Sequence, residues 1–159
     1  QITGLLPGEM YVHRNVGNIV VPDHPNLLAA LEFGIEVLRV EHVIVCGHYG
    51  CTAVDAAIRG EAAPHVARWI YPLTELAQRH RSELASRTRS AGAGRLCELN
   101  VIEGIRGVAE TDVATRAWER GHSLTVHGWI YGIDDGLIRD LGVSRNGVRE
   151  SPHAKAIGD

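Results

Sequence analysis

The sequence has 159 residues, of which 45% are apolar and 22% charged, and its net charge is −3. This composition is ordinary for one globular domain with a hydrophobic core, and it lacks the basic balance that general nucleic-acid binding needs. No apolar stretch approaches the roughly 20 residues of a membrane-spanning helix. Three cysteines at no disulfide-framework spacing predict reduced thiols and a cytoplasmic protein.

The first half of the chain predicts two strands and two helices. A short strand is expected over residues 10–14, after a turn at Pro7-Gly8. Pro25 suits the start of an amphipathic helix, because apolar residues then recur at helical spacing at Leu27, Leu31, Ile35 and Leu38. A buried strand is predicted over residues 42–46, and a short helix over residues 51–58 is expected to stop at Gly60.

The second half predicts mostly helix. Residues 64–89 read as helical with a break near Pro72, and residues 90–94 read as a linker before a long helix over residues 96–120. A third strand is expected over residues 123–131, and a last short helix from residue 134 to about Gly142. This order predicts an α/β domain over residues 1–143, with a mostly parallel sheet flanked by helices, and a polar, flexible tail over residues 144–159.

The chemistry concentrates in Cys46-Gly47-His48-Tyr49-Gly50-Cys51, directly after the buried strand. Zinc takes cysteine sulfur and histidine nitrogen in a tetrahedral shell, and His48 and Cys51 have a spacing that lets two side chains converge on one ion. Gly47 and Gly50 let the backbone bend tightly there. Ligand sites of open α/β sheets lie beyond the carboxyl ends of strands, which is where this cluster falls.

Other interpretations of these residues remain open at this point. Cys46 continues an apolar strand and Cys97 lies in a predicted helix, so both are expected to pack as small buried side chains. Cys51 could instead be a nucleophile activated by His48. Arg14 is either an ordinary surface arginine or a contact for an anion.

Larger side chains occupy every second position along the third predicted strand, namely His127, Trp129 and Tyr131. We expect these side chains to pack against the domain, with their polar tips finding partners, rather than to form a site.

Several segments resemble β-class carbonic anhydrases of the bacterial type, and together they cover nearly the whole chain. They are Pro7-Gly8-Glu9, residues 13–18, residues 41–51, residues 96–101, residues 126–132 and Asp135-Gly136-Leu137.

The resemblance implies a zinc enzyme, with one ion per subunit, that hydrates carbon dioxide reversibly to bicarbonate and a proton by zinc-bound hydroxide. It implies that His48 and Cys51 are zinc ligands and that the protein is a homodimer or tetramer. Alternatives on the same scaffold are a non-catalytic homologue that binds zinc or bicarbonate, and a hydrolase for carbon disulfide or carbonyl sulfide.

The chain departs from the family at its N-terminus. The family's first zinc cysteine and its catalytic Asp–Arg pair belong to a C-x-D-x-R segment, which would precede Gln1 and occurs nowhere in the 159 residues. The catalytic residues are therefore unknown from this sequence, and the chain alone is expected to be inactive. The sheet is expected to lack one internal strand at its N-terminal side.

The resemblance also implies a substrate-binding set. Thr52-Ala53 stand where the family has two glycines, and the Thr52 amide remains available to the substrate. Arg14 matches the arginine of a non-catalytic bicarbonate pocket found in some members. In this chain Phe33 stands where that pocket has a tyrosine. Tyr11 and Phe33 are expected to line the active-site cleft, which the family builds at a dimer interface.

Overall fold

The computed structural model describes residues 3–147. Within these residues, the secondary structure comprises three strands, seven α-helices, a short 3₁₀ turn and a π-helical turn. The strands are β1 (His42–His48), β2 (Thr125–Tyr131) and β3 (Ile138–Arg145). The helices are α1 (Pro25–Glu32), α2 (Thr52–Arg59), α3 (Pro64–Trp69), α4 (Tyr71–Arg79), α5 (Arg81–Ala85), α6 (Arg89–Ala109) and α7 (Asp112–Glu119).

The sheet has the order β1-β2-β3, and β1 and β2 run parallel to each other. β1 pairs with β2 in register from His42 opposite Thr125 to His48 opposite Tyr131. β3 returns antiparallel to β2, with a register shift between His127 and Trp129. Because β1 and β2 are joined by a helical crossover, the predicted α/β architecture is confirmed.

Helix α6 crosses one face of the sheet and belongs to two hydrophobic clusters. Its first half, including Leu96 and Leu99, packs with α2, α4 and Ile130 of β2. Its second half, including Val101 and Ile105, packs with β1, α7 and the start of β2. The approach is close because the chain has glycine where helix and strand meet: a Cβ on Gly104 would lie 2.9 Å from Val45 Cγ1. The core therefore lies between α6 and the sheet.

The predicted strand over residues 10–14 is wrong. These residues are exposed and form no strand among residues 3–147. A strand needs a neighbour for its N–H and C=O groups, and no described strand borders this segment. The side chains of Met10, Tyr11 and Val12 remain 39%, 48% and 59% exposed.

The predicted last helix is also wrong, because the segment after residue 134 forms β3. A tight turn reverses the chain, with the Gly132 N–H paired to Leu137 C=O at 2.9 Å and Gly136 at φ +71°. Asp135-Gly136 is a strong hairpin signal, and it outweighs the helical interpretation. Leu141 and Val143 then reach the core from β3.

The boundaries in the helical region differ from the prediction in two places. Residues 90–94 are not a linker but the start of α6, which Thr88 caps by accepting a hydrogen bond from Ala91 N at 3.4 Å. Small residues are needed here because a Cβ on Gly92 would lie 3.0 Å from Leu84 O. The long helix predicted over residues 96–120 is divided at Thr111, whose hydroxyl caps α7.

The remaining predictions fare differently. The helix expected after Cys51 is confirmed as α2, with Gly60 as its left-handed C-cap at φ +69°. Most of the tail predicted over residues 144–159 lies outside the described residues, and Ser144 and Arg145 end β3. In the described part of the chain, no helix is both long and apolar enough to cross a bilayer.

Candidate metal centre

The candidate metal ligands lie in the tight turn between β1 and α2. β1 ends at His48, and α2 begins at Thr52 with Cys51 as its N-cap residue. Gly50 has φ +68°, a conformation that glycine adopts without steric cost. The turn is held to the neighbouring strand because Tyr49 N–H donates to Tyr131 C=O at 3.0 Å. His48 and Cys51 therefore lie at the same end of the sheet, in a turn whose backbone is held by this hydrogen bond.

The strand that carries this turn is pressed against α6. A Cβ on Gly47 would lie 2.8 Å from Val101 Cγ2, closer than side chains pack. Glycine at this position therefore lets β1 approach α6, and this contact fixes the position of His48 relative to the core.

The His48 ring is oriented by the backbone of the next residue. Its Nδ1 lies 2.9 Å from Tyr49 O, so a protonated Nδ1 donates to that carbonyl. The lone pair then belongs to Nε2, which is free to bind a metal. This arrangement is the one in which metal-ligating histidines are usually held, because the second hydrogen bond fixes both tautomer and ring orientation.

The Cys51 side chain is only 7% exposed and borders the hydrophobic cluster under α2. Cys51 is the N-cap residue of α2, and its side chain makes no capping hydrogen bond. A histidine nitrogen and a cysteine sulfur fit zinc as two of its four ligands. Among residues 3–147, no group of three His, Cys, Asp or Glu side chains converges on one point, so no third donor of these types lies beside His48 and Cys51 there.

The other two cysteines are placed as the sequence predicts. Cys46 is half-buried in β1, and burial raises the pKa of its thiol. Cys97 is 3% exposed within α6, and burial raises the pKa of its thiol to about 11. Both thiols are thereby kept protonated at neutral pH, which suits packing rather than metal binding.

Sequence reasoning missed a polar contact that fixes the ligand turn. The Tyr49 hydroxyl donates to Glu98 Oε1 on α6 at 2.7 Å, and burial together with this carboxylate raises the pKa of Tyr49 to about 12. Arg95 bridges Glu98 to Glu83 at 3.0 and 2.6 Å. The i, i+3 spacing of Arg95 and Glu98 signals their pairing, but nothing in the sequence joins Tyr49 to them.

Replacing Tyr49 by phenylalanine is expected to lower the free energy of unfolding by about 1–2 kcal/mol, because the carboxylate of Glu98 loses a half-buried donor. Urea denaturation measures the change. The matched control is Tyr71→Phe, since the neighbouring carboxylate of Glu75 also raises the pKa of Tyr71, but the Tyr71 side chain is exposed. The control is expected to change stability by less than about 0.5 kcal/mol. Equal losses in both variants would contradict a role for Tyr49 in holding the turn.

The remaining predicted site residues lie in three separate places. Thr52 adjoins Cys51 and is exposed at the first turn of α2, whereas Ala53 is buried in the core. Tyr11 and Phe33 contact each other, with ring centroids 5.7 Å apart, and both are about half exposed. Arg14 is exposed, and in the described part of the chain no hydrogen bond joins it to the His48–Cys51 turn.

A buried polar atom beside β1 lacks a partner. Asn18 Nδ2 has no hydrogen bond among the described residues, and the amide lies against Gly47, 3.6 Å from where a Cβ would stand. Buried amide groups are nearly always paired, so this side of β1 is suited to a further polar group.

Comparison with known proteins identifies the family. The family model described as carbonic anhydrase matches residues 1–138. The carbonic anhydrase of Pseudomonas aeruginosa is 35% identical over 96% of this chain and 72% of its own length. That of Emericella nidulans is 34% identical over 93% of this chain, which spans only 65% of that protein.

Solved structures agree with the sequence relatives. The β-carbonic anhydrase CafA of Aspergillus fumigatus matches with a TM-score of 0.84 and 38% identity, over 89% of this chain and 67% of that one. Tetrameric β-carbonic anhydrases of Sordaria macrospora match at 0.85 and 34%, over 91% and 74%. The chain therefore belongs to the β-carbonic anhydrase family, and it spans about two thirds of the length of these relatives.

Proposed function

We propose that the protein is a zinc carbonic anhydrase that catalyses the reversible hydration of carbon dioxide to bicarbonate and a proton. The observation that carries the proposal is the His48–Cys51 turn at the carboxyl end of β1, with His48 Nδ1 tied to Tyr49 O. His48 Nε2 and Cys51 Sγ would supply two zinc ligands. Zinc, when bound, lowers the pKa of a coordinated water toward about 7, which provides a nucleophile at neutral pH.

The other proposed site residues bind and orient rather than react. The Thr52 amide, at the N-terminus of α2, is suited to hold the oxygen of an anionic product. Arg14 offers a guanidinium that pairs with carboxylate-like oxygens such as those of bicarbonate. The touching rings of Tyr11 and Phe33 offer an apolar wall for carbon dioxide. No residue of this chain is assigned the role of the family's catalytic Asp–Arg pair.

The proposed setting is a cytoplasmic homodimer or tetramer. Free Cys46, Cys51 and Cys97 support a reducing compartment, in which thiolates stay available to zinc. Large apolar side chains near the N-terminal segment are exposed and would be covered by a second subunit. They include Leu5, Leu6, Tyr11, Val12 and Phe33.

The test is stopped-flow carbon dioxide hydration by the product of the complete gene, with zinc content by elemental analysis and molar mass by light scattering. We expect one zinc per subunit, a zinc-dependent rate well above buffer and a mass of two or four subunits. The chain of 159 residues alone, assayed in parallel, is expected to be inactive because within residues 3–147 no third His, Cys, Asp or Glu side chain converges with His48 and Cys51.

Two outcomes would overturn the proposal. Folded protein with stoichiometric zinc and no rate above buffer would identify a non-catalytic zinc-binding homologue. Turnover of carbon disulfide or carbonyl sulfide in preference to carbon dioxide would identify a hydrolase on the same scaffold.

A further inference from the structure

A second pair of metal-binding side chains lies at the other end of β1 from the His48–Cys51 turn. His42 is the first residue of β1, and its Nδ1 lies 3.1 Å from Nε2 of His127 on β2. His42 lies six positions before His48 in β1, which places the pair about 20 Å from the turn at the rise of a strand. The two histidines therefore belong to a different part of the surface.

We propose that His42 and His127 form a two-histidine site for a divalent transition-metal ion that prefers imidazole, such as Ni²⁺, Cu²⁺ or Zn²⁺. The strand register brings them together. His127 stands opposite Ile44, and Ile44 points to the same face of the sheet as His42 because side chains alternate along a strand. The pair is thus a diagonal contact between neighbouring parallel strands, held by the backbone on both sides.

The nitrogen–nitrogen distance matches the span of two ligands on one ion. At metal–nitrogen distances of about 2.0–2.1 Å, two imidazole nitrogens lie about 3.3 Å apart on a tetrahedral ion and about 2.9 Å apart at right angles. The observed 3.1 Å lies between these values. Small rotations of the two rings, whose planes are inclined by 48°, would direct both lone pairs at a common ion.

The hydrogen bond between His127 and Ser144 suits the tautomer of His127 that metal binding needs. Ser144 Oγ lies 3.4 Å from His127 Nδ1 and can accept a hydrogen bond from its N–H, which leaves the lone pair on Nε2, the nitrogen that faces His42. In the metal-free pair His42 Nδ1 donates to His127 Nε2, so His42 binds an ion through Nδ1 only after its proton has moved to Nε2. Both rings then bind as neutral imidazoles, each with its proton on the nitrogen that faces away from the ion.

The pair is open to solvent. His42 and Ser144 are exposed and His127 is half-buried, so an ion can enter and water can fill its remaining positions. No carboxylate or thiol joins the two histidines within the described residues, so the site has two protein ligands. An ion there would link β1 to β2 and stabilise the folded chain in proportion to its occupancy.

The test is calorimetric titration of the protein with Ni²⁺, comparing wild type with His42→Gln, His127→Gln and the control His65→Gln. His65 is an exposed histidine on α3, remote from the sheet. Each variant of the pair is expected to weaken one class of binding sites by about tenfold or more, since even residues that only orient a ligand contribute that much. The control is expected to bind as wild type does, and the His48–Cys51 site remains in all four proteins.

A second measurement needs no substitution. In wild-type protein, substoichiometric Ni²⁺ is expected to broaden the imidazole NMR signals of His42 and His127 together, while those of His65 stay sharp. Unchanged binding in both variants, or broadening that spares the pair, would mean that the two rings form a hydrogen bond only and would overturn the proposal.

Discussion

A serine in place of Cys51 is expected to lower the zinc affinity of the complete protein by more than about 100-fold and to abolish carbon dioxide hydration. Zinc binds thiolate sulfur strongly, whereas a serine hydroxyl stays protonated and neutral. Residues that merely orient a zinc ligand contribute about 10–100-fold, so loss of a ligand itself should exceed that range. Competition with a chromogenic chelator measures the affinity, and stopped-flow hydration measures the activity.

The matched control is Cys46→Ser, which makes the same atom change five residues earlier. Cys46 is half-buried in β1, and its thiol lies 3.5 Å from its neighbour Gly47 O, a carbonyl that a hydroxyl can also reach. Zinc affinity is expected to stay within about threefold of wild type, because surface and half-buried changes outside a site have small effects. A Cys51→Ser protein that keeps full zinc affinity would remove Cys51 from the ligand set.

Alanine in place of Gly128 is expected to cost about 1–3 kcal/mol of unfolding free energy, and it is the most damaging glycine substitution in the sheet. Gly128 lies in the middle of β2 beneath α6, where an added Cβ would collide with Ile105 Cδ1 and lie 3.1 Å from both Val101 Cγ1 and Val143 Cγ2. These atoms come from α6 and β3, so a shift of the new Cβ away from α6 would bring it closer to β3, and the reverse. Urea denaturation followed by circular dichroism measures the loss.

Gly94→Ala is the control for this substitution. Gly94 lies inside α6, and its added Cβ would be an ordinary 3.5 Å from the Tyr49 ring. Alanine is favoured over glycine within a helix by roughly 0.5–1 kcal/mol, so the control is expected to be neutral or stabilising. If Gly128→Ala were as stable as this control, the close packing of β2 on α6 would not limit stability.

The elements that the sequence predicts well are those with strong local signals. The apolar run that forms β1 and the glycine that ends α2 both act over a few residues, and both predictions hold. The first turn of α6 could not be read this way, because Gly92 and Gly94 suggest a linker when considered alone. Their small size is explained only by Leu84 and Tyr49, which the fold brings against them.

The candidate site also has features that local sequence predicts and features that only tertiary contacts reveal. His48 and Cys51 are close in sequence, and the prediction that both lie at the end of a strand needs no tertiary information. Tyr49 and Glu98 are 49 positions apart, so the hydrogen bond that secures the turn is visible only once α6 lies across the sheet. The resemblance implies that Tyr11 and Phe33 line the active-site cleft, but no local pattern predicts that their two rings contact each other.

Helix α6 contributes side chains to both hydrophobic clusters, and this determines how the protein unfolds. Leu96 and Leu99 serve one hydrophobic cluster, and Val101 and Ile105, only a turn away, serve the other. If α6 detached, both clusters would lose buried side chains and be exposed to water, so the two clusters cannot unfold independently. Unfolding should therefore be a single cooperative transition, and a cut before α6 would leave no fragment with a complete core.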